Sequence, residues 1–564
     1  MRQLPFYTHV CLIGIWTIVA FVLLVVPYDA FLNFIVHLLS LQNHREQFGT
    51  IFTNVVYQRV CVSMILIAVL HGFLLFFLLK NRSFRGIINT GLRTALNYPT
   101  WLLKQYQKLS KIEKVVFLPF ILALVYQRFT LSYETSVVYD EAWTYLAFTS
   151  KNPLVAACFY PSSNNHILFS HLTQITKLLP TDILFNIRLA SLIPNLFALI
   201  TLFFCLRNYF RPISVWLAIV CLSISFPMNY YGFVARGYSF IVFFFVIGFF
   251  SLLQITENLQ NNKAWFRLMI STAFGFYTIP VYLYPFITLF GFAGIYFLLT
   301  KNKNAFYKTV LYGFATSMLI LLLYLPVFTI SGLESVIANK YVSAIPFNEV
   351  LSGLEKHFTN TLRFFTGINN VLLTVFTLVI ITVVSFLVSK GENRLAVFFA
   401  IFCIIITPIL VLVHQIIPVE RTWIYLLVPL TFLVGFLFNR FKWFIPLGAL
   451  AFGYLIMLSF QFNKQANWYD EICEEDSPQG AYFSSHFHYV KASIADDTRM
   501  LTFLKFNQLL RNEDWNLQSK FGNEIPKNAY IIQYLRDEKK DSVPIHFAPL
   551  LDYKGYRLLI HAKP

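Results

Sequence analysis

Apolar runs of about 17 to 20 residues, separated by polar segments, recur from residue 9 to residue 461. Roughly 20 mainly apolar residues make one membrane-spanning helix, and a spanning segment must satisfy its own backbone polar groups. A chain patterned this way is therefore predicted to fold as an all-α polytopic membrane protein. Thirteen transmembrane helices are expected, at 9–26, 60–79, 114–131, 187–206, 213–228, 238–255, 267–281, 283–300, 310–329, 371–389, 395–413, 422–438 and 443–461. The segments on either side of Pro280 and the one at 213–228 lie nearest the lower length limit. The first run lacks an A-x-A-type cleavage site and reads as a retained helix rather than a secretory signal.

Composition excludes a single soluble globule. Of 564 residues, 57% are hydrophobic and 13% charged, against about a quarter charged in soluble domains. Residues 1–461 hold 31 Lys and Arg against 13 Asp and Glu, whereas 462–564 hold 13 against 14. The basic excess thus belongs to the embedded part. There it collects in alternate loops, above all 80–114, which places those loops and the N-terminus in the cytoplasm. Membrane sidedness accounts for the cations, so no nucleic-acid partner is expected.

Three regions follow. Residues 1–113 form a two-helix prefix whose amphipathic stretch Trp101 to Lys114 faces anionic lipid. Residues 114–461 form a core with two large outside loops, 132–186 and 330–370. Residues 462–564 read as a small extracytoplasmic α+β domain, with a helix at 497–511 after an Asp cap and strands at Ala529–Tyr534 and Tyr556–His561. In that tail His486 and His488 alternate on a strand-like stretch and read as surface histidines.

The 13 carboxylates of residues 1–461 include a single adjacent pair, Asp140 and Glu141 in VVYDEAWTY. Two acids at a membrane boundary are costly unless used. Spacing alone supports two roles equally: a helix start, with Asp140 as N-cap and Glu141 in the first turn, or acid–base catalysis. Tyr139 beside them, and Asn164, Asn165 and His166 in PSSNNHILFSHL, could orient a hydroxylic ligand; an Asx-type turn explains the asparagines as well. Arg188 at a helix entry reads as an interfacial cation. Arg236 in FVARGYSF and Arg421 beside Glu420 in PVERTWIYLLVP stand on the outside, against the cytoplasmic trend. A guanidinium there suits a phosphate, since its planar fork donates in pairs and stays charged.

The order of these motifs resembles the C-type (GT-C) polytopic glycosyltransferases. The DE pair after the first core helix, the NNH turn, the RLAS helix start, the ARGYS turn, FGFYTIPVYLYP and ERTWIYLLVP are similar to the branch with protein O-mannosyltransferases and the lipid A aminoarabinose transferase, over about residues 110–440. What the resemblance implies is a GT-C fold and transfer of a sugar, with inversion, from a polyprenyl-phosphate donor to an acceptor hydroxyl on the outer face of the membrane. By the same resemblance Asp140 is the base, Glu141 the second acid, and Arg421, with Arg236 a looser match, the ligand of the donor phosphate. The acceptor class (lipid, glycan or protein) stays open. No cofactor is required, and a divalent metal finds no compact ligand set beyond Asp140, Glu141 and the loop histidines. The missing lumenal insertion argues for a bacterial inner membrane, with the site and C-terminus periplasmic. The rival readings are a transporter or flippase, or a polymerase or ligase, for lipid-linked sugars.

Overall fold

The structure is a computed structural model. It describes residues 4–38, 52–80, 97–441 (except 136, 162, 339–341, 369 and 392), 446, 453, 456, 462–472, 492–495, 498–511, 516–518, 530–534, 547–553 and 556–561.

Long apolar helices dominate, and short polar residues start them. Ser110 and Glu113 close a reciprocal capping box on the helix Lys111–Glu134, Asp182 caps Ile183–Leu206, and Asn261, Asn302 and Asn370 cap three more. Each supplies acceptors for N–H groups that a helix start leaves unpaired.

Among the described residues eight helices are long and apolar enough to cross a membrane, ten if two bent pairs each count as one span. The expected thirteen is therefore not reached. Most of the stretch 443–461 lies outside the described residues. The expected spans 267–281 and 371–389 correspond to the helices Asn262–Thr278 (17 residues) and Val371–Val388 (18 residues), neither of which is among those eight. The first run is one helix, Leu4–Val25, with a sharp bend just past its end, whereas the run at 213–228 is broken within its length. Thr17–Val25 meets Tyr28–Phe34 at 115°, and Pro212–Ser223 meets Phe226–Phe233 at 61°. Pro27 and Pro227 lie at these breaks, where a ring without an N–H interrupts the helical ladder.

The chain divides into two compact units. One comprises Met1–Lys108, Leu154–Asn165 and Phe244–Ile345; the other comprises Leu109–Pro153, His166–Phe243 and Pro346–Pro564. In the first unit the Tyr57 hydroxyl lies 2.6 Å from the carbonyls of Leu23 and Val26, satisfying backbone acceptors freed at the first break. There too Trp265 stacks on Tyr312 with ring centroids 4.7 Å apart.

In the second unit the helices Ile183–Leu206 and Glu420–Arg440 are mostly buried within the protein, whereas Lys111–Glu134 leaves most of its surface outward. The two buried helices therefore carry the interior. Near the C-terminus five strands, β1 (Ala492–Ala495), β2 (Asn516–Gln518), β3 (Tyr530–Tyr534), β4 (Phe547–Tyr553) and β5 (Tyr556–His561), form a sheet in the order β2-β1-β3-β5-β4. β1 pairs in parallel with β2 and β3, and β5 pairs antiparallel with β3 and β4. The helix Thr498–Arg511 makes the crossover that a parallel β1–β2 pair requires. That helix and the strands at 530–534 and 556–561 fall within a residue of the sequence expectation. Asp497, His486 and His488 lie outside the described residues.

Candidate active site

The loop 132–186 folds into short helices, the first being Tyr139–Thr144. It begins two residues earlier than the capping reading required, so Asp140 is inside the first turn and is not the N-cap. The cap contact comes instead from Glu141, whose Oε2 accepts the Val138 N–H at 3.2 Å. A wide turn follows, with Ser150 N–H bonded to the Tyr145 carbonyl at 2.8 Å. Such i→i+5 turns recur at functional sites.

Glu141 is wholly buried and saturated with donors. Its Oε1 accepts from Arg188 Nε at 2.8 Å and from the Ala235 N–H at 2.7 Å, and its Oε2 accepts from Arg188 Nη2 at 2.6 Å. Arg188 Nη1 spends its protons on the carbonyls of Ser132 and Thr135. Arg188 is thus no interfacial cation: it is 1% exposed and ion-paired. The sequence showed a charged helix entry but not the acid facing it from 47 residues away. Glu141 ties three segments together, namely its own helix, the helix Ile183–Leu206 and the turn at 234–237.

Asp140, one residue earlier on the same turn, points elsewhere. Its Oδ2 lies 3.1 Å from Arg421 Nη2 and 3.3 Å from Arg236 Nη2. One carboxylate oxygen thus sits between two guanidiniums from distant parts of the chain. Each arginine is held by neutral groups as well. Arg421 Nε donates to the Tyr238 hydroxyl at 2.9 Å, and Arg236 Nη1 donates to Thr144 Oγ1 at 3.2 Å.

His166 completes the cluster. The Gly237 N–H donates to its Nδ1 at 2.8 Å, and its Nε2 lies 3.1 Å from Arg236 Nη2. Burial first, then the charges of Arg236 and Arg421, push the His166 pKa well below its ordinary value and keep the ring neutral. Asn165 and Asn164 belong to the first unit. There Asn165 Nδ2 bonds the carbonyls of Ala156 and Phe159, closing the end of the helix Pro153–Cys158. The turn reading accounts for Asn165. Tyr139 packs edge-on against Phe503, ring centroids 6.0 Å apart, so its ring serves the contact with the helix Thr498–Arg511.

The ARGYS turn is placed by the broken span before it. Arg128, fully buried in Lys111–Glu134, donates from Nη2 to the Ser223 carbonyl at the break (2.8 Å) and from Nε to Asn195 Oδ1 (2.9 Å). Among the described residues it meets no carboxylate, and carbonyl oxygens take up its charge. A Cβ on Gly232 would come within 3.0 Å of Arg128 Nε and 3.1 Å of Asn195 Oδ1, which is why a glycine lies there. Ser191 of the RLAS motif then fixes the turn itself. It donates toward the carbonyls of Val234 and Arg236 and accepts the Arg236 N–H.

The C-terminal segments touch this site from two sides. Phe503 and Phe506 join Ala142, Phe169, Ile187, Ala190 and Ala235 in one buried cluster behind the acid-bearing helix. In the helix Phe462–Ile472, Tyr469 places its hydroxyl 3.2 Å from that of Tyr231, whose ring centroid is 4.5 Å from that of Tyr238. Among the described residues no three His, Cys, Asp or Glu side chains group as a metal-ligand set.

Fold and site together define a polytopic integral membrane protein with an acid–arginine cluster assembled from loop and helix ends. No protein-family model matches the sequence, and no curated protein is similar to it in sequence. Among solved structures the chain is similar to the crystal structure of ArnT from Cupriavidus metallidurans bound to undecaprenyl phosphate, with a TM-score of 0.54 at 10% identity, over 81% of this chain and 100% of that one. At that identity the likeness shows the fold, and it is the GT-C fold that the motif order implies.

Proposed function

We propose that this protein is an inverting membrane glycosyltransferase that moves a sugar from a polyprenyl-phosphate donor to an acceptor hydroxyl. The observation that carries the reading is Asp140 Oδ2 lying between Arg421 and Arg236. It unites the acid and the two cations the sequence singled out, and a transfer of this kind needs that set. An acceptor hydroxyl must lose a proton as its oxygen bonds to the anomeric carbon, and a positioned carboxylate can take it. As the bond from that carbon to the phosphate oxygen breaks, the electron pair stays on the lipid phosphate, whose growing charge two guanidiniums can hold.

On this reading Asp140 is the base and Arg421 and Arg236 hold the donor phosphate, with the neutral His166 beside them. Glu141 positions the turn through Arg188 rather than exchanging protons. The solved neighbour's undecaprenyl phosphate supports a polyprenyl carrier. Residues 1–113 would then be an accessory membrane prefix and 114–461 the catalytic core. Residues 462–564 would be a module outside the membrane, in a bacterial inner membrane with the site on the periplasmic side.

The test is transfer by purified protein from a polyprenyl-phosphate sugar to a hydroxylic acceptor. Asp140→Asn should abolish transfer while the protein still purifies as a folded species. Undiminished turnover by that variant would remove Asp140 from the role of base.

A further inference from the structure

The carboxylate proposed as base occupies the place of the anion its arginines are proposed to bind. Asp140 Oδ2 is 3.1 Å from Arg421 Nη2 and 3.3 Å from Arg236 Nη2, in a site where Asp140 is 8% exposed and Arg236 3%. Charge-assisted bonds of this kind are strong where water is scarce, and a guanidinium contact given to one anion weakens its contact with a second. Both arginines have neutral anchors, the Tyr238 hydroxyl for Arg421 and Thr144 Oγ1 for Arg236. The anchors locate the guanidiniums whether or not Asp140 is their partner.

We infer that Asp140 is an internal stand-in for the donor phosphate, and that donor binding draws Arg421 and Arg236 onto the phosphate and so releases the carboxylate to act as base. The inference rests on the transferase reading above and gives it an order: donor first, acceptor activation second. Before the donor arrives, the Asp140 carboxylate is held between two cations. Once the phosphate takes the cations, the acceptor hydroxyl can pass its proton to Asp140 as its oxygen bonds to the anomeric carbon. The sugar–phosphate bond breaks, and the electron pair leaves with the lipid phosphate on the two arginines.

The consequence opposes what a binding residue would give. Removing the Asp140 charge should tighten binding of polyprenyl phosphate. With the full-length protein in detergent and undecaprenyl phosphate as probe, Asp140→Asn should lower Kd at least about tenfold, or ~1.4 kcal/mol, while abolishing transfer. In an Arg421→Met background the same change should give a much smaller gain, because part of the competition has gone. Unchanged or weaker binding by Asp140→Asn would overturn the inference. Should that variant not fold, the wild-type protein supplies the test. Undecaprenyl phosphate should speed labelling of Asp140 by a small water-soluble carbodiimide, read by peptide mass spectrometry, and slower or unchanged labelling would overturn the inference equally. Wild-type protein that does not bind undecaprenyl phosphate at all would instead defeat the transferase reading. Binding without the Asp140 gain defeats only the stand-in.

Discussion

Arg188 grips Glu141 with two prongs, Nε to Oε1 at 2.8 Å and Nη2 to Oε2 at 2.6 Å, and neither side chain is more than 1% exposed. A pair so buried is a framework joint. Its position next to Asp140 means that the residue aimed at the arginine cluster stands on a turn fixed by its own neighbour.

Breaking that joint should cost stability before it costs chemistry. Arg188→Met leaves Glu141 buried and uncompensated, a loss of about 3–5 kcal/mol for pairs of this kind. Thermal unfolding in detergent should show a lower midpoint. The double replacement Arg188→Met with Glu141→Leu should recover part of the loss, since it leaves no lone charge.

Arg421 should not tolerate lysine. A lysine keeps the charge but cannot address the Tyr238 hydroxyl and a phosphate together through a planar fork. Arg421→Lys should lower kcat/KM for the lipid donor by about tenfold, and Arg421→Met by about 10²-fold or more. Steady-state kinetics with the donor varied will separate the two, and equal activity in all three proteins would remove Arg421 from phosphate recognition.

The helix Thr498–Arg511 should prove necessary to the acid-bearing helix. Phe503 and Phe506 are buried against Tyr139 and Tyr145. Truncating a buried aromatic costs about 3–5 kcal/mol, so Phe503→Ala with Phe506→Ala should speed hydrogen exchange across residues 139–149 and lower kcat. Unchanged exchange there would mean that the helix only covers the surface.

Acid should weaken the fold through its histidines before the carboxylates titrate. Burial holds the pKa of His357 down, to about 4, and that of His166 well below its usual 6.5. Below pH 6.5 the unfolded chain binds protons that these folded rings refuse. The stability they permit is therefore complete above the ordinary histidine pKa of about 6.5 and falls as pH drops toward the folded values. The thermal midpoint should decline from about pH 6.5 to about pH 5, and His357→Phe, which keeps an aromatic edge against Trp423, should flatten part of that slope.

Much of this protein is legible in its residues alone. Long apolar runs gave most of the helices because a spanning segment needs little beyond its own composition to become one. Scarcity of acids pointed to Asp140, and misplaced cations pointed to Arg236 and Arg421. The bend before Pro227 was less visible, because hydropathy averages over a break. Roles within the acidic pair were not visible at all. Neighbouring residues on one helical turn point about 100° apart, so which of them meets Arg236 and Arg421 and which meets Arg188 depends on segments far off in the chain. The parts played by Arg188, Thr144, Tyr238 and the helix Thr498–Arg511 were missed for the same reason. Each matters through a partner, and no local spacing encodes a partner 47 or 281 residues away.

What the sequence determined by itself was the solvent each segment would accept. Apolar length sent residues to the membrane, and the placement of Lys and Arg set an expected sidedness. Assigning work to the charges that remained took the tertiary structure. A buried charge must find its counter-charge or a set of dipoles. Only the folded chain fixes which it finds: Glu141 for Arg188, backbone and amide oxygens for Arg128, and Asp140 for Arg236 and Arg421.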